Sequence, residues 1–163
     1  MAMKKKGFAL LIAVIFMSVM LTFGLALGAL AYKQGVLSSS SVESQHAFYA
    51  ADAGLECVLY YDQQESWFAY PDSSTSTPDI SCDGQAVPKQ YESSSYDASA
   101  GLWALSYSVP VSNGAYCADV SINKYATTTA TGVTTEIYAQ GYSTSCATVG
   151  SGTFSSRGLD VRY

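Results

Sequence analysis

The chain has 163 residues, four cysteines and a formal net charge of −5, enough for one domain with an appendage rather than two domains. Three of its eight basic residues, Lys4, Lys5 and Lys6, precede the first apolar run, so the remainder is strongly acidic. An acidic chain without a basic patch excludes the phosphate-neutralising chemistry of nucleic-acid binding, and no nucleic-acid partner is expected.

Residues 1–7 form a short basic start, and residues 8–32 follow with no charged side chain. As a helix, about 25 residues reach roughly 37 Å, enough to cross a hydrocarbon core of about 30 Å. The three lysines place the start on the cytoplasmic side and the rest outside. Three readings fit this pattern. A secretory signal peptide would be cut after Ala29-Leu30-Ala31, although its apolar core is usually only about 7–15 residues. A plain single-span anchor would keep the whole segment. The third reading comes from the residues themselves. Lys4-Lys5-Lys6-Gly7-Phe8 followed by a long apolar run resembles the leader of type IV prepilins.

That resemblance implies cleavage between Gly7 and Phe8 by a prepilin peptidase, N-methylation of Phe8, and retention of the apolar block in the mature protein. It implies a cytoplasmic-membrane protein, single-pass with an exported head, that later joins a cell-surface filament. Its partners would be other pilin subunits, the prepilin peptidase and the assembly platform. One position departs from the pattern. The fifth mature residue is Glu in most major pilins, and here it is Ile12. The amine of Phe8 would lack that carboxylate, which points to a minor subunit. Gly24-x-x-x-Gly28 is a small-x-x-x-small pattern of the kind that lets helices approach closely.

Residues 33–61 read as the amphipathic second half of the same helix. Ala47, Phe48, Ala51, Leu55, Val58 and Leu59 recur at three- and four-residue steps, giving one apolar face for a sheet to cover. Gly54 is a small residue suited to close packing on that face. The run Ala47-Phe48-Tyr49-Ala50-Ala51-Asp52-Ala53-Gly54-Leu55-Glu56 is similar to the "FYAAEAGLE" run of a minor-pilin group. The resemblance joins both halves into one helix of about 78 Å. Ser38 to Ser41, of middling helix propensity, mark either a hinge or a frayed stretch.

Residues 62–163 read as a loop followed by a sheet. Pro71, Pro78 and the run Ser73–Thr77 predict a loop over 62–83. Four strands are predicted next. They are Leu102–Val109, Tyr116–Ile122, Val133–Tyr142 and Arg157–Tyr163, with Asn113-Gly114 as a hairpin turn between the first two. Thr127 to Gly132 reads as a polar turn. The fold class is therefore α+β, pilin-like: a long N-terminal helix packed on an antiparallel meander of about four strands. The thirteen tyrosines fit half-buried strand positions, with subunit contact or adhesion as the rival reading.

Cys57, Cys82, Cys117 and Cys146 are widely spaced with no C-x-x-C, which favours structural disulfides over a metal site behind a membrane-targeting segment. Four cysteines allow three pairings, and sequence neighbourhood favours Cys57–Cys82 with Cys117–Cys146. No catalytic residue, cofactor or metal site is expected. A Ser44–His46–Asp52 triad fails because residues two apart face different directions on a helix. Asp72, Asp79 and Asp83 lack EF-hand spacing and read as solvated loop acids rather than a calcium site. The expected function is a structural filament subunit; the alternative is a secreted or membrane-anchored disulfide-bonded binding module.

Overall fold

The computed structural model describes residues 6–68, 77–126, 132–151 and 154–163, with side chains from Phe8 onward. Met1–Lys5, the loop residues Pro71–Ser76 and the turn at Thr127–Thr131 lie outside the described residues.

No proline interrupts the first 63 residues, and a single helix, α1, runs Lys6–Gln63. The serine run 38–41 stays helical within it. The chain nevertheless divides into two compact units at the end of that run: residues 1–41 and residues 42–163. Beyond the helix end Ser66 takes a left-handed backbone conformation at φ +53°, and the Trp67 N–H reaches back to the Tyr61 carbonyl at 3.0 Å.

In the second unit the last third of α1 lies on an antiparallel sheet. A two-residue hairpin, β1 (Ser81–Cys82) and β2 (Gln85–Ala86), turns through Asp83-Gly84, both at positive φ. A 3-10 turn at Lys89–Tyr91 leads into the sheet. Its strands are β3 (Glu92–Asp97), β4 (Leu102–Val111), β5 (Tyr116–Ala126), β6 (Val133–Tyr142) and β7 (Ser156–Arg162), in that spatial order. The meander therefore has five strands rather than four. The added strand, β3, reads Glu-Ser-Ser-Ser-Tyr-Asp and offers no run of β-branched or apolar residues to signal it. It is held by its ladder to β4 and by a hydroxyl pair, Ser93 with Ser106, at 2.7 Å. The first predicted strand also runs past Pro110 to Val111. Pro110 lies beyond the end of β3, where β4 has one neighbour only, so its missing N–H costs little.

Register explains how the helix fits. Across β4, β5, β6 and β7 one inward row reads Leu105, Ile122, Ile137, Val161. The next reads Tyr107, Val120, Ala139, Leu159, and the third Val109, Ala118, Gly141. Side-chain volume falls along the strands, and α1 comes closest where it is least. A Cβ placed on Gly141 would collide with the Ala47 carbonyl and the Ala51 amide. One on Gly54 would lie 2.6 Å from the Ala118 Cβ. The buried helix positions are Ala47, Ala50, Ala51, Gly54, Leu55 and Val58. Phe48, expected on this face, is 43% exposed instead. The face is narrower than the period suggests because an alanine-glycine contact brings the backbones too close for a ring at its margin. The outer face of the sheet is polar, with Ser106 opposite Ser121, and Ser108 bonded to Asp119 at 2.5 Å.

Candidate functional site: the apolar helix surface and its anchorage

In residues 8–31, α1 is apolar on every side. Phe8, Met17, Leu25 and Leu37 are each about 70% exposed, and no large apolar side chain between them is buried. Burying a Leu or Phe is worth about 1.5–3 kcal/mol. A rod with so many exposed in water would carry a penalty of tens of kcal/mol, so this surface needs lipid or other helices around it. The two hydroxyls inside the uncharged run bond to their own helix. The Ser18 hydroxyl donates to the Ile15 carbonyl and the Thr22 hydroxyl to the Val19 carbonyl, both at 2.8 Å. Hydroxyls turned back on their own backbone suit an environment that offers no water. The helix is long and apolar enough to cross a membrane by length and composition. Ile12 is exposed on it, and Gly24 and Gly28 leave open space around their Cα atoms. Gly7 lies in the first turn, just ahead of the exposed Phe8. Lys33 is the sole formal charge between Phe8 and Val42.

The second unit holds the end of α1 in four ways. Cys57 is bonded to Cys82, tying α1 to β1 with Cα atoms 5.8 Å apart. Tyr61 both accepts from the Ser81 amide and donates to its carbonyl at 3.1 Å. His46 stacks on Tyr116 with centroids 4.8 Å apart, and Arg157 Nε donates to Ser44 at 2.8 Å. The fourth is a buried charge network. Lys124 Nζ lies 2.6 Å from Asp62 Oδ1 and 3.1 Å from Thr135 Oγ1, while the Tyr163 hydroxyl donates to Asp62 Oδ2 at 2.5 Å. Burial and then the bond to Asp62 push the Tyr163 phenol up from its ordinary value. Cys117 is bonded to Cys146, linking β5 to the segment after β6.

Sequence reasoning missed this network, although a signal existed. Ala118, Val120, Ile122 and Lys124 share one face of β5, so a lysine at an apolar-face position required a buried partner. It also missed Asp83-Gly84, a hairpin dipeptide hidden in a segment read as loop.

No group of three or more His, Cys, Asp or Glu side chains able to hold a metal occurs among the described residues. Asp79 pairs with Lys89, and Asp83 accepts the Ser112 amide at 2.8 Å; Asp72 lies outside the described residues. One cleft of about 470 Å³ opens beside the Cys57–Cys82 bond, with Glu56 and Asp83 in its lining. No family model matches the chain, nor does any curated protein or solved structure. A helix fit to cross a membrane, joined to a head with two disulfides, marks a membrane-anchored or exported protein.

Proposed function

We propose that the chain is a pilin-like subunit of a type IV pilus or related filament. The observation that carries this reading is the all-round apolar surface of α1 from Phe8 to Ala31, attached to a disulfide-bonded α+β head. Such a surface is at rest in a bilayer and equally at rest among similar helices. Assembly then exchanges lipid contacts for helix contacts, and apolar surface never faces water. Cleavage between Gly7 and Phe8 removes the three leader lysines and leaves an N-terminus able to leave the membrane. The head, with its acidic polar sheet face, forms the filament exterior.

The experiment is to map the N-terminus of the mature protein and to find which cell fraction holds it. N-methylated Phe8 in a sheared filament fraction is the expected result. A mature protein starting at Tyr32 and free in the medium would instead identify a secreted module. An intact Met1 in the membrane alone would identify a permanent anchor. Gly7→Trp should block maturation, and unchanged processing of that variant counts against the cut.

A further inference from the structure

Lys33 poses a problem that its own unit does not solve. Residues 8–41 contain no acidic side chain, and the helical neighbours of Lys33 at three and four residues are Ala29, Leu30, Val36 and Leu37. It is exposed, and among the described residues it makes no ion pair. In the membrane its long stem can carry the ammonium to the outer interface. Once helices pack against one another, an uncompensated cation becomes costly, so assembly must supply a carboxylate from another molecule.

The second unit offers a place suited to it. The cleft beside the Cys57–Cys82 bond is lined by Ala53, the disulfide, Val109 and Val111, together with the carboxylates of Glu56 and Asp83. Both acids are exposed, and among the described residues neither has a basic partner; Asp83 is oriented by the Ser112 amide. An apolar lining with two anionic groups fits a side chain with an aliphatic stem and a compact cationic tip, which describes lysine. Two of the other cations after Phe8 already have carboxylate partners: Lys89 pairs with Asp79 and Glu92, and Lys124 with Asp62.

We infer that this cleft receives Lys33 from a second copy of the chain, and that the charge pair sets the register between neighbouring copies. The inference rests on the filament reading. The two contact surfaces differ, so the contact is heterologous and does not close; copies that make it follow one another in a row. It therefore describes a repeating subunit, whereas Ile12 alone points to a minor one.

The test uses the full chain in cells that assemble it. Lys33→Glu and Glu56→Lys should each lower the filament-borne fraction about tenfold, as expected for loss of a desolvated charge pair. The double variant should recover to within about threefold of wild type. On wild-type filaments made from mixed isotope-labelled and unlabelled copies, zero-length carbodiimide coupling should join Lys33 of one copy to Glu56 or Asp83 of another. Single reversals that assemble normally, a double variant no better than the singles, or Lys33 coupled only elsewhere would each overturn the contact while leaving the filament reading intact. A wild-type chain that never reaches filaments and does not begin at Phe8 overturns both.

Discussion

Gly141 shows how much one hydrogen atom in place of a methyl can decide. The sheet admits α1 because nothing projects from Gly141 toward the Ala47 carbonyl and the Ala51 amide. Backbone cannot yield as a flexible side chain does, so Gly141→Ala should cost at least about 1–3 kcal/mol, the usual range for overpacking. Gly28→Ala is the control. Its added methyl meets open space in the other unit, so the head's urea midpoint should stay at the wild-type value. Urea unfolding of the two variants in detergent, followed by head tryptophan fluorescence, separates them. Lys124 carries a larger penalty. Lys124→Ala leaves Asp62 buried with only Tyr163 for company, and the expected loss is about 3–5 kcal/mol. Replacing the pair together, Asp62→Leu with Lys124→Met, should recover most of that loss in the same experiment. A double variant as unstable as Lys124→Ala would mean that the network does more than balance its own charges.

Elements were legible in proportion to the apolar signal they carry. The uncharged run 8–32 and the three-four spacing of 47–58 both announced α1, because burial in lipid or under a sheet leaves a compositional mark. Four strands of the sheet announced themselves by alternation and by Asn113-Gly114, whose residues indeed take positive φ in the β4–β5 turn. β3 did not, because an edge strand held by backbone bonds and a serine pair needs little apolar area. The end of α1 was legible only to within two residues. Its stop is the left-handed Ser66, a conformation that a turn can impose on any residue and that costs a non-glycine residue roughly 1–2 kcal/mol. Ser66→Gly should therefore stabilise the head by about 1 kcal/mol, read as a higher urea midpoint at unchanged slope. The disulfides follow the same logic of local constraint. Each closes a loop of 25 or 29 residues, so replacing both cysteines of either pair by serine should lower stability by about 3 kcal/mol.

At the scale of the whole molecule, the two units answer to different solvents, and alkaline pH tests the head alone. Tyr107 is raised above its ordinary 10.0, first by burial and then by the Glu92 carboxylate. Tyr142 is pushed up to about 12, by burial first and then by Asp119. Tyr163 is raised as described above, by burial and Asp62. A phenol is neutral when protonated, so a raised value means that the unfolded chain ionises first. The stability these groups contribute is fully present below pH 10 and drains away as pH climbs from there through the folded values. Tyr107, 1% exposed, should account for about 1.4 kcal/mol per pH unit over that window. Tyr163, 43% exposed, should contribute less because solvent screens its partner. Urea midpoints of the full chain in detergent should stay level up to about pH 9.5 and then fall. Tyr107→Phe should start about 1 kcal/mol lower, having lost its 3.1 Å bond to the Pro78 carbonyl, and should then fall less steeply. No free cysteine among the described residues is present to begin disulfide exchange, so the difference between wild type and Tyr107→Phe measures the share of the alkaline loss that this phenol carries. The apolar half of α1 holds one tyrosine, Tyr32, at its outer end, so its helical signal should persist through the same pH range while the head unfolds. A helix that melted together with the head would show that the apolar half depends on the head for its structure, contrary to a surface whose stability comes from its surroundings.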